Sequence, residues 1–107
     1  MSKESSFQKE LRKEIEERFS GSIVTKLDSG DIQGIPDLLV LYKNNWAALE
    51  CKKDEKSHRQ PNQDWYVKRM NEMSFASFIC PENKENVLNE MERSFESSRT
   101  TRVPKSK

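Results

Sequence analysis

The sequence predicts an α/β fold in which a mixed central sheet is flanked by helices, in the order α-β-β-β-α-β-α. Three observations support this fold: short apolar or β-branched runs, amphipathic segments between them, and a hairpin near the centre of the chain. Strands and helices that alternate along a chain favour a sheet with helices packed against it. The chain has 107 residues, of which 33% are hydrophobic and 35% charged, so we expect one modest core beneath a charged surface.

The first predicted element is an amphipathic helix. Ser5 and Gln8 have the spacing of a capping box, in which each side chain satisfies a backbone group at the start of a helix. The apolar stripe of this helix recurs every four residues: Phe7, Leu11, Ile15 and Phe19. A short β-branched strand follows over Ile23–Leu27, and a polar loop covers residues 28–34.

A predicted hairpin occupies the centre of the chain. Asp37–Lys43 is nearly continuous in Leu and Val, as in a strand covered on both faces. Asn44-Asn45 is the predicted turn, because Asn tolerates the backbone angles of tight turns. Trp46–Lys52 is the returning strand.

The second half of the chain predicts a helix, a strand and a final helix. Asn62 caps the first of these helices after a polar loop, and Ser74–Cys80 is the strand that Pro81 ends. The final helix runs from Glu82 to about Phe95. Two aromatic residues of the middle helix are expected to lie in the core rather than to stack on bases: Trp65 and Tyr66.

Residues 1–96 form one predicted domain, and residues 97–107 form a basic tail that we expect to be disordered. No acidic residue follows Glu96, so the tail has a charge of +4. Because the net charge of the chain is +1, residues 1–96 have a charge of −3. Such a tail is either a solvated end or an arm that steers the protein toward phosphates. Cys51 and Cys80 match no metal-binding spacing, so we expect reduced thiols.

The chain start lacks the apolar segment of a signal peptide, and no run approaches the ~18 apolar residues of a membrane span. We therefore expect a cytoplasmic protein without membrane contact, located in the host cytoplasm if it is viral.

Three charged side chains are predicted to meet at one end of the hairpin. Glu50 and Lys52 share one face of their strand, because side chains at i and i+2 point the same way. The hairpin brings Asp37, at the start of the neighbouring strand, close to them. Carboxylate oxygens are the ligands that Mg²⁺ or Mn²⁺ prefers, and a metal there would activate water. A structural cluster of salt bridges is the alternative explanation.

These residues resemble the motif of the PD-(D/E)XK nuclease superfamily. Pro36-Asp37, the hairpin and then Glu50-Cys51-Lys52 follow the motif, and the α-β-β-β-α-β order is similar to the restriction-endonuclease-like core. Within the superfamily, Gly34-Ile-Pro-Asp37 followed by Trp46-Ala-Ala-Leu-Glu-Cys-Lys52 looks most like the VRR-NUC branch, which includes small phage nucleases. The resemblance covers about residues 7 to 92.

The resemblance implies a role for each matching residue. Asp37, Glu50 and the backbone carbonyl of Cys51 would bind Mg²⁺ or Mn²⁺, and Lys52 would be the catalytic lysine. Two further positions match side chains that family members place near the metal. Glu10 on the first helix would be an additional metal ligand, with a solvated surface role as the alternative. Gln63 on the helix after the motif would be a catalytic residue.

A basic loop follows the predicted site. Lys53, Lys56 and Arg59 would contact DNA phosphates near the scissile bond, and Lys26 would line the same cleft. An ordinary exposed loop is the alternative.

The sequence as a whole predicts a Mg²⁺-dependent DNA endonuclease. By family analogy we expect a homodimer that selects branched or otherwise structured DNA, such as Holliday junctions or flaps, in phage or in repair and recombination. The competing hypothesis is a non-catalytic nucleic-acid-binding or adaptor protein on the same fold. All three motif residues are present, which argues against it.

Overall fold

The computed structural model describes the backbone of residues 5–102 and the side chains of residues 5–97. Within these residues, three helices and four strands follow one another in the predicted order. The elements are α1 (Ser6–Arg18), β1 (Ile23–Lys26), β2 (Leu38–Tyr42), β3 (Asn45–Cys51), α2 (Pro61–Met73), β4 (Phe75–Ile79) and α3 (Lys84–Arg102). Among these residues, no helix combines the length and the apolar character needed to cross a bilayer.

The four strands form one mixed sheet in the order β1-β2-β3-β4. The pairs β1–β2 and β2–β3 are antiparallel, whereas β3 and β4 run parallel. A parallel neighbour needs a crossover connection, and α2 provides it between β3 and β4. The predicted α/β architecture with a mixed central sheet is therefore confirmed.

The helices cover the two faces of the sheet unequally. The large core cluster joins α1 and α3 to one face, and its central members include Leu11, Ile15, Leu49 and Leu88. The opposite face carries a smaller cluster in which α2 packs on β3 and β4. Apolar side chains on β1 and β2 that point to this second face therefore remain partly exposed, as Ile23 and Leu41 do.

The N-terminal helix forms the predicted apolar stripe but only half of the predicted capping box, since Gln8 Oε1 is buried without a hydrogen-bond partner among the described residues. The Ser5 hydroxyl accepts a hydrogen bond from the Gln8 backbone N–H at 3.1 Å, which satisfies one of the free donors at the helix start. Leu11 and Ile15 are fully buried, so the predicted apolar stripe faces the core.

Two local predictions are wrong. The hairpin turn is formed by Lys43 and Asn44, with Lys43 in the left-handed region at φ 56°, and Asn45 already pairs with Tyr42. The middle helix begins at Pro61 and is capped by Gln60 rather than by Asn62. Proline is well suited to the first helical position, since its missing N–H would find no partner there in any case.

Trp65 also contradicts the sequence-based expectation, because 58% of its surface is exposed. Tyr66 is half-buried and belongs to neither core cluster, and the two rings meet nearly perpendicularly with centroids 4.9 Å apart. Adjacent helical positions point about 100° apart, so one of the two must leave the packed face.

The last helix is longer than the sequence predicts, since it continues beyond Phe95 to Arg102. The predicted basic tail begins at residue 97, within this helix. Residues 103–107, with the side chains from 98 onward, lie outside the described residues, so the expected disorder of the tail stays a prediction.

Candidate active site

The carboxylates Asp37 and Glu50 meet where β2 begins and β3 ends. Leu38 pairs with Leu49 in the hairpin, so Asp37 lies opposite Glu50 at the next position of the register. The Cys51 backbone N–H donates to Asp37 Oδ2 at 2.9 Å, which fixes the aspartate against β3. The structure therefore brings together the two carboxylates that the motif predicts.

Glu50 points to the sheet face covered by α2, and its side chain is only 6% exposed. Residues 47, 49 and 51 alternate to the other face, where Leu49 is fully buried in the core. A buried carboxylate is expensive unless it is paired or bound to a metal. The partners of Glu50 on the α2 side therefore define the chemistry of the site.

Gln63 bridges Glu50 and Lys52. Its amide Nε2 donates to Glu50 Oε2 at 2.9 Å, and its Oε1 accepts from Lys52 Nζ at 2.8 Å. The same Oε1 accepts from the Gln60 backbone N–H at 3.1 Å as part of the helix cap. One side chain thus ties the start of α2 to Glu50 on β3 and to Lys52 directly after that strand.

Lys52 is held in the cluster by two hydrogen bonds and one ion pair. Besides Gln63, the backbone carbonyl of His58 accepts from Lys52 Nζ at 2.9 Å. Glu50 Oε2 lies 3.8 Å from the same nitrogen, and the lysine side chain is 15% exposed. The ammonium group is therefore fixed within the cluster, and a small part of the lysine side chain remains exposed.

The electrostatics of the pair are unfavourable for two ionised carboxylates. Burial and the neighbouring charge of Asp37 raise the pKa of Glu50 to about 7, although Lys52 opposes the shift. Burial likewise raises the pKa of Asp37, against a backbone hydrogen bond from Cys51 and the charges of Lys52 and Lys26. The ionised form of Glu50 is therefore disfavoured near neutral pH, chiefly because the carboxyl is buried.

This donor set fits a hard divalent cation. Mg²⁺ is typically held by one or two carboxylates, with waters and substrate phosphates completing its shell. Asp37 and Glu50 supply such a pair, and a cation bound between them would offset the cost of burying their charges, which is the main cause of both raised pKa values. Within residues 5–97, no group of three or more His, Cys, Asp and Glu side chains is close enough to hold a metal.

Glu10 is not brought to this pair. It lies on the exposed surface of α1, where its charge acts with that of Glu14 to raise the pKa of Lys84. Helix α1 packs on the sheet face opposite to Glu50, which explains the separation. The metal role of Glu10 stays a prediction without support from this arrangement.

The predicted DNA-binding residues lie at the surface, on β1 and in the loop after β3. Lys26 is exposed on β1 and lies close enough to Asp37 for its charge to oppose the burial that raises the pKa of the aspartate. Lys53 and Lys56 are exposed in the loop after β3. The Arg59 guanidinium lies 3.9 Å from the centroid of the Phe78 ring and 3.4 Å from the Asp64 carboxylate.

The sequence does not predict two groups that contribute to the site, the Phe78 ring and the His58 backbone carbonyl. Phe78 pairs with Glu50 in the parallel register of β4, and both Arg59 and Lys52 lie over its ring. A cation over an aromatic face is attracted by the ring quadrupole. Phe78 therefore helps hold Arg59 and the loop around it, which includes the His58 carbonyl that accepts from Lys52. The alternation along β4 could have placed Phe78 on this face, but its register against β3 requires the structure.

Gly34 allows the loop before β2 to approach α2. It has φ 94°, and a Cβ atom there would lie only 2.4 Å from the Cβ of Asn62. Both the backbone angle and the contact therefore require glycine. This close approach sets the start of α2, and with it Gln63, against the end of the hairpin.

The fold and the site together define a nuclease-type domain. Among solved structures, the chain is similar to one described as a VRR_NUC domain, with a TM-score of 0.55 and 26% sequence identity. The match covers 86% of this chain and 97% of that chain, so the protein has a VRR-NUC-like nuclease fold. No family model matches the sequence, and no curated protein is significantly similar to it. Nuclease folds of this kind act on nucleic acid and usually use divalent metals.

Proposed function

We propose that the protein is a Mg²⁺- or Mn²⁺-dependent DNA endonuclease that hydrolyses phosphodiester bonds. One observation carries this proposal: Asp37 and Glu50 meet at the hairpin end, and Gln63 links Glu50 to Lys52. A structural salt-bridge cluster would place the carboxylates where protein cations balance them. Burial instead raises the pKa of both carboxylates, and a divalent cation bound by the pair would stabilise their ionised forms.

Asp37 and Glu50 would hold the metal, with the Cys51 backbone carbonyl as the third protein ligand that the family resemblance implies. The bound cation would lower the pKa of water and offset negative charge on the phosphodiester. Lys52 has three N–H donors, so it can keep its hydrogen bonds to Gln63 and His58 and offer the third to a phosphate oxygen. Negative charge grows on that phosphate in the transition state, which a fixed ammonium stabilises.

Gln63 has a positioning role in this proposal. Its two hydrogen bonds keep Glu50 and Lys52 apart at 3.8 Å, so the lysine does not collapse into a closer ion pair with the carboxylate. The exposed cations Lys26, Lys53, Lys56 and Arg59 would contact phosphates on either side of the scissile bond. Structure-selective cleavage by a homodimer in the cytoplasm, on junctions or flaps, completes the proposal by analogy with the fold.

A cleavage assay tests this function. We expect the protein to cut labelled DNA only with Mg²⁺ or Mn²⁺, and to prefer a four-way junction or flap over a linear duplex. A covalently closed circular substrate separates an endonuclease, which linearises or nicks it, from an exonuclease, which leaves it intact. A folded protein that binds these DNAs but cuts none of them with either metal would favour the adaptor hypothesis.

A further inference from the structure

The outer surface of α2 carries an exposed tryptophan that the proposed catalysis does not use. Trp65 is 58% exposed, whereas tryptophan side chains are usually well buried on average. The perpendicular contact with Tyr66, at 4.9 Å between ring centroids, holds the indole in one orientation. A large, oriented and exposed aromatic surface is suited to stacking against a flat partner.

Trp65 belongs to a strip of α2 that begins beside the active site. Asn62, Trp65 and Arg69 are spaced i, i+3 and i+7, which places them along one side of the helix. The strip is about 10 Å long, from the rise of 1.5 Å per residue. It starts next to Gln63, whose side chain contacts both Glu50 and Lys52.

Two cavities flank this strip and differ in chemistry. The first, of about 440 Å³, lies between the loop before β2 and the start of α2, and amide side chains line it without any charged group. Its amides are Gln33, Gln60, Asn62 and Gln63, of which Gln63 is already hydrogen-bonded to Glu50 and Lys52. The second, of about 430 Å³, lies beside Trp65, Lys68, Arg69 and Glu72. Amides both donate and accept hydrogen bonds, as base edges do, whereas the lysine and arginine suit phosphates.

We propose that this α2 strip binds unpaired nucleotides of the DNA substrate next to the scissile phosphate. Trp65 stacks on an unpaired base, the amide cavity receives a base edge, and Lys68 and Arg69 contact the phosphates of the same strand. A paired base has its faces covered by its neighbours, so stacking on Trp65 requires a base outside a duplex. The inference rests on the proposed function and narrows its substrate to DNA with an unpaired stretch beside the cut.

The chemistry around Trp65 favours nucleic acid over a protein partner. An apolar docking patch would gather several exposed apolar groups around the indole, but the neighbours that line its cavity are Lys68, Arg69 and Glu72. Met73, another exposed apolar side chain on this side of α2, lies about two turns further along the helix. The ion pair of Arg69 with Glu72, at 3.4 Å, joins two exposed side chains. Such pairs contribute little to stability, so Arg69 can exchange the carboxylate for a phosphate.

Binding measured without cleavage tests this inference separately from catalysis. The probes are a dye-labelled oligo(dT) and a blunt duplex of the same length, titrated with the full chain in EDTA and followed by fluorescence anisotropy. We expect Trp65→Ala to weaken binding of the single strand about tenfold, the loss of one base–aromatic stack. Binding of the duplex changes less than about twofold. Trp65→Phe keeps an aromatic face and retains most of the affinity.

Met73→Ala is the matched control, because Met73 is 61% exposed on the same helix but lies beyond the strip. It should leave both affinities unchanged. The inference would be overturned if Trp65→Ala lowered the affinities for single strand and duplex equally. It would also be overturned if Trp65→Ala and Met73→Ala lowered the single-strand affinity equally. A Trp65→Ala protein that binds the single strand normally but loses self-association in sedimentation would overturn it as well, since Trp65 would then contact a second copy. Selective binding of the single strand by a protein that cuts nothing would contradict the proposed function while leaving the inference intact.

Discussion

Replacement of Lys52 by alanine is expected to lower the DNA cleavage rate by about 100- to 1,000-fold, the usual loss for one transition-state donor. Lys52 Nζ is fixed by Gln63 and the His58 carbonyl, so no neighbouring cation takes its place without rearrangement. Lys52 also opposes the pKa shift of Glu50, so its removal makes that carboxyl still harder to ionise. Single-turnover cleavage at saturating enzyme measures the effect on the chemical step.

Lys53→Ala is the control for this prediction. It removes the same charge one residue further along, from an exposed side chain outside the cluster. We expect weaker DNA binding but a nearly unchanged rate at saturating enzyme, because a phosphate contact positions the substrate without acting on the reacting atoms. Equal rate losses in the two variants would mean that the loop acts only through its total charge.

Replacement of Glu50 by glutamine is expected to stabilise the metal-free protein while it abolishes cleavage. The pKa of Glu50 is raised to about 7, so the folded state binds this proton more tightly than the unfolded chain does. Protonated Glu50 makes its full contribution to the free energy of unfolding below about pH 4.5. This contribution is lost as the pH rises to about 7. The total loss is about 3 kcal/mol, from 1.36 kcal/mol for each pKa unit.

Glutamine is neutral at every pH and can still accept the hydrogen bond from Gln63. The Glu50→Gln protein should therefore match the wild type near pH 4.5 and exceed its unfolding free energy by about 2–3 kcal/mol at pH 8. Urea unfolding in EDTA across this range measures the difference. The exposed Glu16→Gln change should stay within about 0.5 kcal/mol throughout. A Glu50→Gln protein that is less stable at pH 8 would show that the ionised carboxylate is a structural partner of Lys52.

The sequence predicts that Asp37, Glu50 and Lys52 lie close together, although it misplaces the hairpin turn by one residue. A turn at Asn44-Asn45 would place Asp37 opposite Lys52, whereas the observed turn at Lys43-Asn44 places it opposite Glu50. Moving a two-residue turn by one position shifts the register by two, which preserves the face of every side chain. The prediction that Glu50 and Lys52 share a face opposite to Leu49 therefore survives the wrong turn.

Other features depend on contacts that sequence spacing does not contain. The bridge from Gln63 to Glu50 and Lys52 requires the crossing of α2 over β3, which Gly34 and Asn62 set by close approach. The exposure of Trp65 follows from the rotation of α2, and periodicity alone does not choose between adjacent aromatic residues. The family resemblance suggested a place for Gln63, but the structure supplies its partners.

The central claim is that Asp37 and Glu50 together hold a divalent cation, and titration of Mn²⁺ into the metal-free protein at pH 8 tests it most directly. Calorimetry should detect binding that weakens strongly in both Asp37→Asn and Glu50→Gln proteins. The same binding should weaken below pH 7 in the wild type, because the metal competes with the proton on Glu50. Mn²⁺ binding that is unchanged in both variants, or absent from the folded wild-type protein at pH 8, would contradict the claim.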